Sequence, residues 1–548
     1  MKYYNDFRFK MVIFLFLAQF MMVTIITPVF GEKSDVVSHN PVSGEVAFSP
    51  YSNILGGDLD AEILTAMEQD QIVGLSAVFV RDDKVVWSKG YGFSDLERER
   101  PAGPDTIYRI ASLSKTVVAT ALMQLWEQGR FGLDDDISDY LGFTVRNPNY
   151  PEDKITFRML LTHTSSILDS GGKGGYNAAI NSANTPLLRD ILSPGGSFYD
   201  SATWAAYRPG AGFTYSNFGS GIIASLVEKI SGERFHDYCS EHIFRPLGME
   251  ASYDLAGIAQ LDRIAVLYRP GSEGGFVPAC DYIADGEVPK TQENTLPLGN
   301  AYKGTAGGIR TSAADLAKFM IAHMNGGVYE NVRILNPDTV DVMQQMQWSG
   351  DGLEGFYKQK GLNFHITDSL AGRRLTGHAG QSYGLISDMY FDRDENSGVI
   401  LIINGGHYRY TESGFTSIEE TIINKLYNQL ADPVKNSARG ISVNIDYLTV
   451  NGRKIVYPVA ADTKTDDTFI PAISLADALE TTIEQDQTTG AVTLMYAGKT
   501  VRMNAGKAGF LIAGQTVYQE IIPYDKGGYL MLPLDRIAEL LGIEVVYQ

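Results

Sequence analysis

The stretch Ala111-Ser112-Leu113-Ser114-Lys115-Thr116 lies where two backbone patterns meet. Ile110 ends an extended run, and Val117, Val118, Ala121, Leu122, Leu125 and Trp126 then recur at helical spacing. A helix is therefore predicted to begin here, with Ser112 and Lys115 on one face, one turn apart. A serine hydroxyl is a weak nucleophile until a base takes its proton. A lysine turned into a buried pocket loses basicity by desolvation, which makes its neutral amine accessible. The free N–H groups of a helix start, that of Ser112 included, suit an oxyanion. The same S-x-x-K pattern has a structural reading, with Ser112 a helix cap and Lys115 a solvated first-turn residue. Ser114 is a rival nucleophile but has no lysine one turn downstream.

A chain of 548 residues exceeds one ordinary core, so two or three domains are expected. With 44% apolar and 20% charged residues it is a folding chain rather than a disordered one. A net charge of −20 without a Lys/Arg cluster argues against nucleic acid as a partner. Lys2, Arg8 and Lys10 precede an apolar run from Met11 to Phe30, the plan of a signal peptide over residues 1–31. The run is also long enough for an uncleaved N-terminal anchor. Either way the body is expected outside the cytoplasm, secreted or associated with the cell envelope. The two cysteines, Cys239 and Cys280, are too few for a disulfide framework, and their pairing is open. The eight scattered histidines give no zinc pattern, so no metal or other cofactor is expected.

The chain is read as a linker over 32–57, a first domain over 58–430, a linker over 431–440 and a second domain over 441–548. In the first domain, Asp58 to Gln71 suggests a helix, and Leu75–Val80 with Val85–Trp87 a β-hairpin. A helical, glycine-punctuated region runs to about residue 260, and 168–208 is a Gly/Ser/Asn-rich insertion of the kind that lines sites. Beyond residue 300 the pattern turns to strands. Leu385–Phe391 and Gly398–Asn404 form a hairpin, and Ser417–Leu430 closes the domain as an amphipathic helix. The second domain carries a repeat offset by 62 residues, in which Ile470-Pro471 through Ile483 matches Leu532-Pro533 through Val545. Each copy reads as a strand, a proline-led helix of about two turns, and another strand.

Two further clusters bear on chemistry. Tyr215-Ser216-Asn217 offers a phenol that becomes a base if nearby cations lower its pKa, and an amide able to hold a substrate while orienting Lys115. Gly377-His378-Ala379-Gly380-Gln381 precedes the strand pair. There small residues let a substrate backbone approach, Gln381 N–H is a second oxyanion donor, and His378 can bond the tyrosine or the substrate. Gly380-Gln381-Ser382-Tyr383-Gly384 also spells G-x-S-x-G, but a nucleophile elbow requires a strand before and a helix after, and here a strand hairpin follows.

The order Ser112…Lys115, Tyr215…Asn217, His378…Gly380 resembles the serine β-lactamase and penicillin-binding-protein superfamily, in its class C β-lactamase-like, D-alanyl-D-alanine carboxypeptidase and esterase branch. Tyr108-Arg-Ile-Ala-Ser-Leu-Ser-Lys115, Leu160-Leu-Thr-His-Thr-Ser165, Phe244-Arg-Pro-Leu-Gly-Met249 and Ala306-Gly-Gly308 add to the resemblance, which covers about residues 55–430. It implies a mixed α/β domain, an antiparallel sheet flanked by helices plus a mostly helical lobe. It also implies an acyl-enzyme on Ser112, proton transfer by Lys115 and Tyr215, orientation by Asn217, His378 and Gly380, and an oxyanion hole from the N–H groups of Ser112 and Gln381. Many antibiotic-destroying members have lysine where this chain has His378. That favours a D-amino-acid peptidase or small-ester hydrolase over efficient β-lactam hydrolysis. The alternative is a non-catalytic protein that binds penicillin or peptidoglycan peptides; a weaker one is an envelope protein with a vestigial pocket. Residues 441–548 resemble the repeat domain named for the N-terminal region of copper amine oxidases. They show no copper-ligand set, and cell-wall material is the partner suggested for them.

Overall fold

In a computed structural model, the chain divides into two compact units, residues 1–431 and 432–548. The structure describes residues 58–431 except 170–171, 284–294 and 351–354. In the second unit it describes 441–443, 447–450, 453–457, 461–464, 467–478, 483–485, 491–496, 499–503, 509–512, 515–518, 523–526, 529–534, 536–537 and 545–547. The expected signal segment (1–31), the linker at 32–57 and residues 432–440 lie outside the described residues. Among the described residues, no helix is long and apolar enough to cross a membrane.

The first unit is built on a nine-stranded antiparallel sheet. Its strands are β1 (Gly74–Arg81), β2 (Lys84–Asp95), β3 (Arg100–Pro101), β4 (Trp348–Ser349), β5 (Gln359–Lys360), β6 (His365–Leu370), β7 (Arg373–Ser382), β8 (Leu385–Asp392) and β9 (Ser397–Ile403). Their spatial order is β4-β5-β6-β7-β8-β9-β1-β2-β3, so the first hairpin of the domain closes onto the last one. The helices that matter most are α1 (Asp58–Gln69), α2 (Ser114–Glu127), α3 (Asn217–Ser231), α4 (Ala313–Met324) and α5 (Ser417–Leu426).

The central strands are unbroken apolar runs because both faces are covered. In β1 and β9, Leu75, Ala77, Phe79, Val399, Leu401 and Ile403 pack with Leu59 and Ile63 of α1 and Ile418 and Ile422 of α5. The alternate residues Val78, Val80, Ile400 and Ile402 join a larger core with α2, α3 and α4. The sheet is thus a wall between a thin helical layer and a helical lobe. Helix α2 is buried from Ser114 through Leu125, which makes it the central element of that lobe. Helix α3 starts on Ser216, whose hydroxyl accepts from Gly219 N–H, and stops at Gly232 in the left-handed region.

The strand-rich reading beyond residue 300 misses two helices, α4 and Pro337–Gln344. Leu316, Ala317, Phe319, Met320, Ile321, Ala322 and Met324 are all buried, so α4 has almost no polar stripe to reveal its period. Its start is set locally by Ser312, whose side chain accepts from Asp315 N–H. The 168–208 insertion carries short helices at Gly175–Ile180 and Leu188–Leu192. Cys239 is buried and Cys280 half-buried, and both are free.

In the second unit, the repeat becomes a pairing. Phe469, Ile470 and Pro471 of the first copy lie antiparallel to Pro533, Leu532 and Met531 of the second. The proline-led helix of the first copy is Ala472–Ala478, with Leu475 and Ala476 buried beside Leu532 and Ile537 in one core. After the second copy, Val545–Tyr547 runs parallel to Ile441–Val443, the first described strand of this unit.

Gly377 has no room for a side chain. A Cβ there would sit 1.9 Å from Met389 O and 2.7 Å from Tyr390 Cα, both backbone atoms of the neighbouring strand. Gly377→Ala is expected to force β7 and β8 apart and to destabilise the unit by roughly 1–3 kcal/mol, read as a lowered denaturation midpoint.

Candidate active site

Ser112 sits in a 3₁₀ turn, Ala111–Leu113, that leads directly into α2. The turn makes no side-chain cap, and Lys115 is fully buried, so the structural reading of the S-x-x-K pattern is excluded. Ala111, just before the serine, is held at φ +47°, a left-handed conformation that costs a residue with a Cβ about 1 kcal/mol or more. The turn is held from two sides: Ile110 N–H donates to Ile309 O, and Ser387 Oγ donates to Ile110 O. Ser114 is fully buried and accepts from Ile309 N–H at 3.3 Å, which turns it away from the pocket.

Lys115 Nζ contacts three oxygens: Ser112 Oγ at 3.0 Å, Asn217 Oδ1 at 2.8 Å and Ala306 O at 3.0 Å. Burial lowers its pKa to about 7, against an opposing pull from the Asp169 carboxylate. A neutral amine has two N–H bonds and one lone pair. Asn217 Oδ1 and Ala306 O can only accept, so they take the two N–H groups. The lone pair then faces Ser112, the one partner of the three with a hydrogen to give.

Tyr215 lies with its ring centroid 4.9 Å from Lys115 Nζ and 4.6 Å from the His163 ring. The expected lowering of its pKa by nearby cations does not occur: burial, and then Tyr357, push the phenol well above 10, and hydrogen bonding to Ser112 only pulls against that. The loop that carries it is tied to the Leu160–Ser165 phrase. Thr214 N–H donates to His163 O, and Ser216 N–H donates to His163 Nδ1. Asn217, the first residue of α3, donates its Nδ2 to Asp169 Oδ2 at 2.7 Å while its Oδ1 receives Lys115.

His378 departs from expectation. It is buried on β7 and donates Nδ1–H to Ala379 O at 2.6 Å. Burial, and then the nearby Lys360 and Lys115, hold its pKa well below 6.5, so it is neutral near pH 7 rather than partly charged. It stacks on His365 at 4.0 Å, and its ring lies 6.3 Å from that of Tyr215. Gly380 abuts the Ser112 turn: a Cβ there would come 2.9 Å from Ile110 O and 3.0 Å from Ser112 N. Gln381 follows on β7, its side chain donating to Tyr410. Ser382 of the G-x-S-x-G sequence ends β7 at a turn into β8, a strand–turn–strand with no helix after it.

Three contributors escape a reading of the sequence. Ala306 O is a backbone atom, although its Ala306-Gly-Gly308 phrase stands out. Asp169 follows shortly after the Leu160–Ser165 phrase. Lys360, on the short strand β5, is buried against the rings of Tyr357, Phe213 and Tyr215 at 5.0, 5.6 and 6.0 Å, and nothing in its local sequence marks it.

Residues 59–421 match the β-lactamase family model. The chain belongs to the β-lactamase family. Residues 449–548 match the copper amine oxidase N-terminal domain. Among relatives of this β-lactamase-family chain, a putative penicillin-binding protein PbpX of Bacillus subtilis is 31% identical over 258 residues, 46% of this chain and 56% of that protein. The serine β-lactamase-like protein LACTB of human mitochondria is 26% identical, over 51% of this chain and 60% of its own length. The chain spans about half the length of such curated relatives. The fold is shared with an octameric penicillin-binding protein homologue from Pyrococcus abyssi, with TM-score 0.52 and 19% identity over 87% of this chain and 99% of that one. It is shared too with a D-amino acid amidase from Ochrobactrum anthropi, with TM-score 0.51 and 20% identity over 70% and 99%. This is the mixed α/β architecture of the β-lactamase and penicillin-binding superfamily, in a family of serine hydrolases.

With Lys115 as the expected base, its pKa of about 7 gives a signed pH dependence. Modification of Ser112 by a neutral fluorophosphonate is expected to slow about tenfold per unit as pH falls below that value and to level off above it. Stopped-time labelling across the range reads the limb; a rate flat through neutrality would contradict it.

Proposed function

We propose that this chain is an exported serine hydrolase acting through an acyl-enzyme on Ser112, on amides or esters of D-amino-acid peptide or small-ester type. The observation that carries the reading is the 3.0 Å Ser112–Lys115 contact, in which the amine has its lone pair free for the serine alone. As Ser112 Oγ bonds to the substrate carbonyl carbon, its proton passes to the Lys115–Tyr215 pair, and the carbonyl electron pair moves onto the oxygen. The N–H groups of Ser112 and Gln381 hold that oxyanion, while Asn217 and Gly380 orient the substrate. Collapse breaks the bond to the amine or alcohol, which leaves with the proton. Water then attacks the acyl carbon, its proton taking the same path, and Ser112 is released.

The neutral His378 supports the choice of substrate class. It offers no fixed cation to the carboxylate of a β-lactam, so small esters and D-amino-acid amides are favoured over that ring. A D-amino acid amidase among proteins of the same fold is in keeping with this class. Labelling with a fluorescent phosphonate and mass spectrometry of the adduct tests the reading. The modification is expected on Ser112 and falls by about a thousandfold or more in Ser112→Ala and Lys115→Ala. p-Nitrophenyl esters and D-amino-acid amides are expected to turn over faster than nitrocefin. A folded protein with neither adduct nor turnover would replace this reading with the non-catalytic, penicillin-binding one.

The second unit, on an exported chain, is assigned to attachment at cell-wall material. The full chain is expected to pellet with purified wall fragments, and a chain ending at residue 431 to stay in the supernatant. Equal partition of the two sinks the assignment.

A further inference from the structure

The direction of the Lys115 lone pair depends on one assignment, that Asn217 turns its oxygen rather than its nitrogen toward the lysine. Were the amide reversed, Nδ2 would face Lys115, the lysine lone pair would be drawn to that N–H, and an amine N–H would point at Ser112. The amide looks alike from either end to its packing neighbours, so an asymmetric partner must choose. Asp169 is that partner. Its Oδ2 accepts from Asn217 Nδ2 at 2.7 Å, and its Oδ1 accepts from Ser216 Oγ at 3.0 Å and Phe218 N–H at 2.9 Å. A carboxylate offers acceptors only, and here the atoms around it are donors from the first residues of α3 and its cap.

We infer that Asp169 is a positioning residue for the reaction: by locking the Asn217 amide it aims the Lys115 lone pair at Ser112. The inference rests on the serine hydrolase reading above and assigns a part to a residue outside the Ser112, Lys115, Tyr215 set. Charge and orientation act together. The other groups facing Lys115 are Ser112 on its own turn, Tyr215 and Asn217 at the start of α3, Lys360 on β5, and His163, His365 and His378. Among the described residues, Asp169 is the acid that raises the lysine's affinity for its proton, against the larger effect of burial.

Asp169→Asn makes a sharp test, because its geometry is over-determined. Phe218 N–H can only donate, so the amide introduced at position 169 must turn its oxygen that way and present its NH₂ to Asn217. Asn217 then flips, and its Nδ2 meets Lys115. Two effects are expected in the full chain. The rate of Ser112 phosphonylation at its plateau falls by about a hundredfold, and the acid limb moves to lower pH because a negative charge is gone. The double variant Asp169→Asn/Asn217→Asp places a carboxylate at position 217, where it accepts both from the new amide at position 169 and from Lys115. It is expected to regain at least about tenfold of the lost plateau rate, with its acid limb above that of the wild type.

A merely structural role for Asp169 would lower the melting temperature and leave the limb where it was. An Asp169→Asn protein with wild-type plateau and limb overturns the inference. So does a double variant that is no faster than the single one. Should the single variant fail to fold, Asp169→Ala removes the same charge without imposing the flip; the expected shift of the limb is in the same direction, with a smaller loss of rate. The Lys115 amine can also be titrated by NMR in lysine-labelled protein, assigned by its loss in Lys115→Met. This separates the two failures. Without labelling of the wild type the hydrolase reading falls, while a lower Lys115 midpoint in Asp169→Asn still upholds the coupling and an unchanged one ends it.

Discussion

An amine sealed away from water is the condition on which this molecule turns. Lys115 is completely buried, and its three oxygen partners come from three separate stretches: the Ser112 turn, the start of α3 and the Ala306–Gly308 loop. Burying an ammonium ion costs several kcal/mol unless its hydrogen bonds are met. With three acceptors the charged form is tolerated, and desolvation still weakens it to a pKa of about 7. The amine is therefore held between its two protonation states near neutral pH, as the proposed proton transfers require.

The rest of the first unit keeps that balance. Sheet strands β7 and β8 press Gly380 and Ser387 against the Ser112 turn, and Ile309 grips it from the other side. Helix α2 is buried nearly all round, so Lys115 has no route to relax toward solvent. The Leu160–Ser165 segment anchors Tyr215 and Ser216 through His163, whose Nδ1 is committed as an acceptor and whose pKa burial keeps low. Neutral histidines at 163, 365 and 378 add polar surface without adding charge to a pocket that already holds two lysines.

Much of this is legible in the residues. The apolar runs around 75–80, 385–391 and 398–404 announce the sheet, since a strand covered on both faces has no polar alternation to hide it. The Ser112, Tyr215 and His378 clusters stand out as ordered motifs, and the structure brings all three side by side. Helix α4 escapes the pattern because its outward stripe is short, Ala314, Asp315 and Lys318, and the remaining face is apolar and buried. Lys360 escapes it because a lysine between Gln359 and Gly361 reads as a solvated edge residue; only the aromatic rings of residues 213, 215 and 357 make it an interior group.

What the sequence determined by itself is local: the helix start at Ser112, the one-turn spacing to Lys115, the caps, the hairpins and the repeat of the second unit. These depend on contacts between near neighbours, which composition and periodicity encode directly. What only the tertiary structure decided is the electrical character of the site. The low pKa of Lys115, the neutrality of His378 and the direction of the Asn217 amide all follow from desolvation and from partners far away in the chain, Asp169 among them. A pKa is a property of an environment, and an environment exists only once residues from many stretches have closed around the group.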